Sequence, residues 1–227
     1  MIKTYNPLTV FAGHYGSGKT TLAVNYALDL KSQGKEVVIA DLDIVNPYFR
    51  TKDSAVKLEN AGIRLISSEF ANSNVDVPAI PAEASALFDN PGVYSIIDLG
   101  GDDRGAHVLG RYGSRIRRIG GYDMFLVINM YRPLSGDADS TIGIMREIEE
   151  SAKLRFTGVI NNSNLKHETT VDDIMNSAAY TKRISETTGL PVIYTSARQN
   201  LADGLRKSID NVYALYLEEY QWQRNQL

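Results

Sequence analysis

The stretch Gly13-His14-Tyr15-Gly16-Ser17-Gly18-Lys19-Thr20 decides the fold of this 227-residue chain. It matches the pattern G-x-x-x-x-G-K-[ST] and lies between an apolar run, Thr9–Ala12, and a helical pattern, Lys19–Ser32. The glycines let successive backbone N–H groups turn toward phosphate oxygens, and the N-terminus of the helix adds partial positive charge. The stretch therefore predicts a phosphate-binding loop between a strand and a helix.

Two polar residues of this loop have specific predicted roles. The Lys19 ammonium reaches the β- and γ-phosphates, and the Thr20 hydroxyl is a ligand of Mg²⁺. The alternative is a glycine-rich turn that binds nothing. The predicted nucleotide-binding residues here are Gly13, His14, Tyr15, Gly16, Ser17, Gly18, Lys19, Thr20 and Thr21.

Short apolar runs alternate with helical patterns along the chain. The runs are Thr9–Ala12, Val37–Ala40, Ile63–Ile66, Tyr94–Ile97, Phe125–Ile128, Thr157–Ile160 and Val192–Thr195. The helical patterns are Lys19–Ser32, Thr141–Ser151, Val171–Thr187 and Ala202–Tyr220. Because the runs are almost continuously apolar, they predict strands buried on both faces. The alternation predicts an α/β fold with a mostly parallel sheet flanked by helices, whose ligands bind beyond the carboxyl ends of the strands.

Carboxylates stand at two of these strand ends. Asp41 and Asp43 follow the second run and point to the same side of an extended chain, so one can orient an attacking water and the other can lie beside the metal. Their alternative role is to cap a turn. The stretch Asp98-Leu99-Gly100-Gly101 follows the fourth run, where Asp98 is a predicted Mg²⁺ ligand and Gly100 and Gly101 are predicted sensors of the γ-phosphate.

Composition excludes several classes of protein. The chain has no cysteine, which rules out disulfides, thiolate zinc sites and a cysteine nucleophile, and its net charge is −3. That charge argues against a surface built for nucleic acid. The length predicts one domain over residues 1–227, and the absence of an export signal or a long apolar span predicts a cytoplasmic location.

Together these motifs resemble the MinD/ParA family of P-loop ATPases. The resemblance is carried by the GSGKT loop, Asp41-Leu42-Asp43, Asp98-Leu99-Gly100-Gly101 and Gly158-Val159-Ile160-Asn161-Asn162. It implies a three-layer P-loop NTPase fold that binds ATP and Mg²⁺, with Lys19, Asp41 and Asp43 as catalytic residues. It also implies Thr20, Asp41 and Asp98 around the metal and Asn162 against adenine, with Asn161 as the alternative.

The loop departs from the family pattern at two positions. The family's signature lysine, which reaches a partner's ATP in an ATP-dependent homodimer, is replaced by His14, and Tyr15 replaces a glycine. A neutral imidazole does not supply the permanent charge of a lysine. An arginine elsewhere is one substitute, with Arg104 as the first candidate, and slow hydrolysis is the alternative.

The expected function is hydrolysis of ATP to ADP and phosphate as a switch for an unidentified protein partner. One alternative is an ATP-dependent small-molecule ligase, similar to dethiobiotin synthetase, or a kinase; another is an ATP-binding regulator that does not hydrolyse. Asn161-Asn162-Ser163-Asn164 lacks the N-K-x-D pattern of guanine recognition, which favours ATP over GTP. The missing cysteines predict that the chain holds no iron–sulfur cluster.

Three further segments have no assigned role in this interpretation. The arginines between Arg104 and Arg118 suit a solvated face better than nucleic acid, and the segment Val212–Trp222 suits packing on the sheet better than a membrane. We therefore expect neither nucleic acid nor membrane as a partner. The loop Asn72–Pro81 either lines the site or contacts a partner.

Overall fold

The computed structural model describes residues 6–42, 54–67, 86–89, 92–100, 103–119 and 121–216. The strands are β1 (Leu8–Ala12), β2 (Glu36–Leu42), β3 (Arg64–Ser67), β4 (Val93–Leu99), β5 (Asp123–Ile128), β6 (Gly158–Asn161), β7 (Val192–Arg198) and β8 (Val212–Leu215). The helices are α1 (Lys19–Ser32), α2 (Ala55–Asn60), α3 (Ala86–Asp89), α4 (Asp103–Gly110), α5 (Gly113–Ile116), α6 (Ala138–Ala152), α7 (Val171–Asn176), α8 (Ala178–Thr188) and α9 (Gln199–Leu205).

The eight strands in the described part of the chain form one parallel sheet in the order β3-β2-β4-β1-β5-β6-β7-β8. The predicted α/β class and the parallel sheet are confirmed. The strand β1 lies inside the sheet, between β4 on one side and β5 on the other, so the strand order reverses beside it. In a sheet of this kind the crevice at the carboxyl ends near such a reversal is the place where ligands bind.

The two faces of the sheet are covered by different helices. Along β1, Leu8, Val10 and Ala12 pack into the layer that contains α4, α6 and α8, whereas Phe11 packs into the layer that contains α1. The same alternation runs through the neighbouring strands because successive side chains of a strand point to opposite faces. Both faces are buried, which is why the strands have no polar stripe.

Two helix predictions are wrong in their boundaries. The predicted helix Val171–Thr187 is two helices, α7 and α8, separated at Ser177, whose hydroxyl donates to the Ile174 carbonyl oxygen at 2.6 Å. The predicted helix Ala202–Tyr220 ends at Leu205, and Val212–Leu215 forms β8 instead. The segment therefore joins the sheet as a strand within its described part, which ends at residue 216.

None of the helices in the described ranges combines the length and apolar character that a membrane crossing needs.

Candidate nucleotide site

The phosphate-binding loop joins β1 to α1 at the carboxyl edge of the sheet. Gly13, Gly16 and Gly18 have φ values of 146°, 73° and 92°, a region that side chains rarely enter. A Cβ atom on Gly13 would also collide with the Val127 carbonyl oxygen, and one on Gly18 would collide with the Asn162 amide. Backbone conformation therefore favours glycine at all three positions, and at Gly13 the Val127 backbone also leaves no space for a side chain.

The first turn of α1 is open to an anion. Gly18 occupies the N-cap and has no side chain, and no acidic residue lies in the first turn. The first backbone N–H groups of a helix have no partner within the helix, and their dipoles favour negative charge. This end of α1 therefore suits a phosphate group.

The side chain of Lys19 crosses the loop. Its Nζ donates to the His14 carbonyl oxygen at 3.2 Å, and the residue is almost fully buried. A buried ammonium held at the loop places a positive charge where the phosphates of a nucleotide would lie.

The predicted metal ligands come together beside this loop. The Thr20 hydroxyl donates to Asp98 Oδ2 at 2.6 Å, and both residues are buried. Asp41 is in register with Asp98 on the adjacent strand and is also buried. By strand alternation both carboxylates lie on the α1 face of the sheet. These oxygen donors fit Mg²⁺, which is usually held by one or two carboxylates with phosphate oxygens and water.

The structure describes only some of the remaining predicted site residues. Gly100 is buried and directly follows β4. Asp43, Gly101 and the loop Asn72–Pro81 lie outside the described residues, as does the side chain of Arg104. Within the described part of the chain, no three His, Asp or Glu side chains gather into a metal-binding cluster.

His14 is a neutral residue at the edge of the loop. Its Nδ1 lies 2.8 Å from the Tyr15 carbonyl oxygen, to which the N–H donates. Burial lowers the pKa of His14 below its ordinary value, and the nearby Lys19 charge lowers it too, while the bond to the Tyr15 carbonyl acts in the opposite direction. The imidazole therefore does not replace the charge of the family's signature lysine at neutral pH.

A cavity of about 280 Å³ opens beside the loop, on the side of β5, β6 and β7. It has the concave shape and the few convergent polar groups typical of a small-molecule site. The residues that line it are Gly16, Gly18, Thr21, Arg132, Asn162, Asn164, Lys166, His167, Thr169, Ile174, Ser196, Ala197, Arg198 and Leu215.

Asn162 links the loop to the wall of this cavity. Its Nδ2 donates to the Ser17 carbonyl oxygen at 2.6 Å, and its Oδ1 accepts from the Ser196 hydroxyl. Asn164 Nδ2 donates to the Asn162 carbonyl oxygen at 2.6 Å. The structure thus places Asn162 in the cavity wall, and its contact with adenine stays a prediction.

The sequence analysis assigned no role to several residues in this wall and behind it. Behind the wall, Asn129 follows β5 and is fully buried, and its Oδ1 accepts from the backbone N–H groups of Tyr131 and Asn164. Arg132 and Arg198 extend the wall on two sides. The rule that ligands bind beyond the carboxyl ends of strands applies to β5 and β7 as well as to β2 and β4, and it would have indicated these residues.

The second half of the basic stretch, from Arg111 to Arg118, lies away from the site, whereas the start of α4 at Gly105 packs against Leu42 and Gly100 at the carboxyl edge. Arg117 Nη1 donates to the Lys153 carbonyl oxygen at 3.0 Å, and Arg118 Nε donates to the Ser114 carbonyl oxygen at 3.4 Å. This part of the chain packs near the end of α6 and precedes β5, so it lies at the amino edge of the sheet, opposite the phosphate-binding loop.

Comparison with known proteins gives a family match. The family model described as the CobQ/CobB/MinD/ParA nucleotide binding domain matches residues 8–200. The cytosolic Fe-S cluster assembly factor cfd1 of Emericella nidulans is 33% identical over 98 residues, which are 43% of this chain and 27% of that protein.

Solved structures share the fold. The cell division protein FtsY of Thermotoga maritima superimposes with a TM-score of 0.53 at 24% identity, over 86% of this chain and 63% of that one. The signal recognition particle 54 kDa protein of Aeropyrum pernix K1, in complex with GDP, gives a TM-score of 0.51 at 20% identity, over 85% and 42%. This chain spans less than two thirds of the length of each of these three relatives.

The match to cfd1 corrects one prediction. The expectation of no iron–sulfur cluster is wrong, because a relative of this chain is by name an Fe-S cluster assembly factor. The absence of cysteine shows only that this chain supplies no thiolate ligand. It does not separate the chain from a relative named as an Fe-S cluster assembly factor.

Proposed function

We propose that this chain, which belongs to the CobQ/CobB/MinD/ParA nucleotide-binding domain family, binds ATP with Mg²⁺ and hydrolyses it as a switch for a partner. The observation that carries the proposal is the buried hydrogen bond of 2.6 Å between the Thr20 hydroxyl and Asp98. It joins the phosphate-binding loop to the carboxyl end of β4, where a nucleotide-bound metal would need oxygen ligands.

The phosphates would lie in the loop between Gly13 and Thr20. Three glycines with positive φ values shape the backbone, and the open first turn of α1 adds donors with partial positive charge. Lys19 supplies a full positive charge from within the loop. This arrangement supports binding of a di- or triphosphate.

Thr20, Asp98 and Asp41 are the residues that would hold Mg²⁺. When bound, the ion neutralises charge on the phosphate oxygens and orients them for attack by water. Asp43, two residues after Asp41, is assigned the orientation of that water, and its carboxylate can accept a proton from it. The reaction transfers the γ-phosphoryl group to water and leaves ADP and phosphate.

The nucleoside cavity supports ATP over GTP. Guanine presents N–H donors that a carboxylate recognises, whereas no Asp or Glu lines the described part of this cavity. Leu165 stands where the carboxylate of an N-K-x-D pattern starting at Asn162 would fall. The adenine base would lie among the amide, hydroxyl and apolar groups at the ends of β6 and β7.

A second candidate is an ATP-binding regulator that does not hydrolyse. It is favoured by His14, which is neutral at physiological pH and supplies no charge for the phosphoryl transfer. This candidate predicts binding of Mg·ATP without release of phosphate.

Phosphate release with Mg·ATP and with Mg·GTP tests the proposal. We expect turnover with ATP, its loss in Lys19→Ala, and a decrease in kcat of about 10²–10⁴-fold in Asp43→Ala with ATP still bound. Lys182→Ala, which removes an exposed lysine paired with Glu186, is the matched control and should behave as wild type.

Four outcomes test the proposal against the other candidates. A wild-type protein that binds no Mg·ATP, or a Lys19→Ala variant with unchanged turnover, would contradict the proposal. Binding without turnover would favour the regulator. Turnover that begins only when an acceptor metabolite is added would favour a ligase or a kinase.

A further inference from the structure

Arg132 lies against the phosphate-binding loop. It belongs to the segment after β5, and its Nε donates to the Gly16 carbonyl oxygen at 2.8 Å. A Cβ atom placed on Gly16 would lie 3.3 Å from Arg132 Nε and 3.5 Å from its Cδ. The Arg132 guanidinium therefore lies directly over Gly16, which is 116 residues earlier in the sequence.

The segment that carries Arg132 is held in place at several points. The Arg132 N–H donates to the Asn129 carbonyl oxygen at 3.2 Å, and the Ser135 N–H donates to the Arg132 carbonyl oxygen at 3.0 Å. The Tyr131 hydroxyl donates to the Asp173 carbonyl oxygen at 2.7 Å. Ordering of this backbone before a ligand arrives lowers the entropy cost of binding.

The position of Arg132 separates it from the metal side of the site. It lines the cavity together with Asn162 and Ser196, whereas the lining does not include Lys19 or Asp98. Within the described part of the chain, neither Nη nitrogen of Arg132 has a protein hydrogen-bond partner. The planar face and the outer donors of the guanidinium are thus available to a ligand in the cavity.

We propose that Arg132 contacts the nucleoside, with its guanidinium stacked on the base of the bound nucleotide. A guanidinium stacks on aromatic faces through both its plane and its charge, and a purine offers such a face. The bond from Nε to Gly16 fixes one edge of the guanidinium at the point where the loop meets the cavity. The inference rests on the proposed nucleotide-binding function.

Titration calorimetry with Mg·ATP and with Mg·tripolyphosphate, which has no base, tests this role. In Arg132→Ala we expect affinity for ATP to fall about fivefold to thirtyfold more than affinity for tripolyphosphate. Arg132→Lys keeps the positive charge and a donor for the Gly16 carbonyl oxygen. It should leave tripolyphosphate affinity within about twofold of wild type and still weaken ATP, because lysine lacks the planar face.

The matched control is Arg155→Lys, an exposed arginine paired with Glu149 at the opposite edge of the sheet. Equal losses for ATP and tripolyphosphate in Arg132→Ala would overturn the inference, since they indicate a phosphate contact or a support of the loop alone. Unchanged affinities would also overturn it. A wild-type protein that binds tripolyphosphate and ATP equally well would contradict the base contact, and one that binds neither would contradict the proposed function as well.

Discussion

Asn162 shows how one side chain can hold a loop that glycines leave free to move. The loop between Gly13 and Thr20 contains three glycines with positive φ, a composition that increases the conformational entropy lost on folding. The Asn162 amide offsets this by donating to the Ser17 carbonyl oxygen and accepting from the Ser196 hydroxyl in a buried setting. It therefore connects the phosphate-binding loop, β6 and β7.

Replacement of Asn162 by alanine should destabilise the fold itself. The change leaves the Ser17 carbonyl oxygen and the Ser196 hydroxyl without this buried partner, which costs about 1–3 kcal/mol. Urea denaturation of the protein without nucleotide measures the loss. Asn176→Ala, an exposed asparagine at the end of α7, is the control and should change stability by less than about 0.5 kcal/mol. Unchanged stability together with weaker ATP binding would instead indicate that Asn162 acts only on the base.

For Asn162, the sequence indicated the position of the residue at a strand end but not the protein groups that its side chain contacts. The motif around Gly158–Asn162 placed the residue at a strand end, and the structure puts it in the cavity wall. Its partners come from the loop 145 residues earlier and from β7, 34 residues later. A local pattern contains no information on such pairings, because they depend on the order of strands in the sheet. The pairing of Arg132 with the Gly16 carbonyl oxygen is hidden from the sequence for the same reason.

Among the elements, strands were easier to predict than helices. Each of the seven apolar runs overlaps one observed strand, because a parallel sheet buried on both faces requires continuous apolar segments. The eighth strand, Val212–Leu215, was assigned to a helix. A short apolar run does not by itself distinguish a buried strand from a buried helix, and here the hydrogen bonds to β7 decide.

The packing of α4 on α6 depends on a glycine that sequence patterns did not single out. A Cβ atom on Gly110 would lie 2.5 Å from the Ser151 carbonyl oxygen. This oxygen belongs to a helix backbone, so it does not move aside as the end of a flexible side chain would. The close approach of these two helices therefore requires a residue without a side chain at Gly110.

Gly110→Ala should destabilise the protein by about 1–3 kcal/mol, because it overpacks the contact between the two helices. The matched control is Gly143→Ala within α6, where the added Cβ atom meets no atom within 4 Å beyond the backbone of its own helix. That change should stabilise the protein by about 0.4–1 kcal/mol through the higher helix propensity of alanine and a less flexible unfolded chain. Guanidinium denaturation of both variants measures the effects. Equal effects in the two variants would contradict the close-packing argument.

At the scale of the whole molecule, the position of β1 in the sheet determines where the two parts of the site meet. The strand order reverses beside β1, which lies between β4 and β5. Segments from both halves of the sheet therefore meet at the carboxyl end of β1. The residues assigned to phosphate and metal lie after β1 and at the carboxyl ends of β2 and β4, whereas most of the cavity wall comes from the segments after β5 and β6 and from the end of β7. A nucleotide that occupies both parts bridges the two halves of the sheet. Binding should therefore stabilise the entire fold and not one loop alone.

Thermal unfolding measures this linkage. A ligand that binds only the folded protein contributes about 2.7 kcal/mol at one hundred times its dissociation constant, which for a chain of this size raises Tm by about 5–11 °C. We expect this shift with Mg·ATP, a smaller one with Mg·GTP at the same concentration because the described cavity lining offers guanine no carboxylate, and none in Lys19→Ala. Removal of Mg²⁺ with a chelator should reduce the shift, since Thr20, Asp98 and Asp41 would then lack the ion that joins them to the phosphates. Equal shifts with both nucleotides would contradict the base preference, and a full shift in Lys19→Ala would place the bound nucleotide outside the loop.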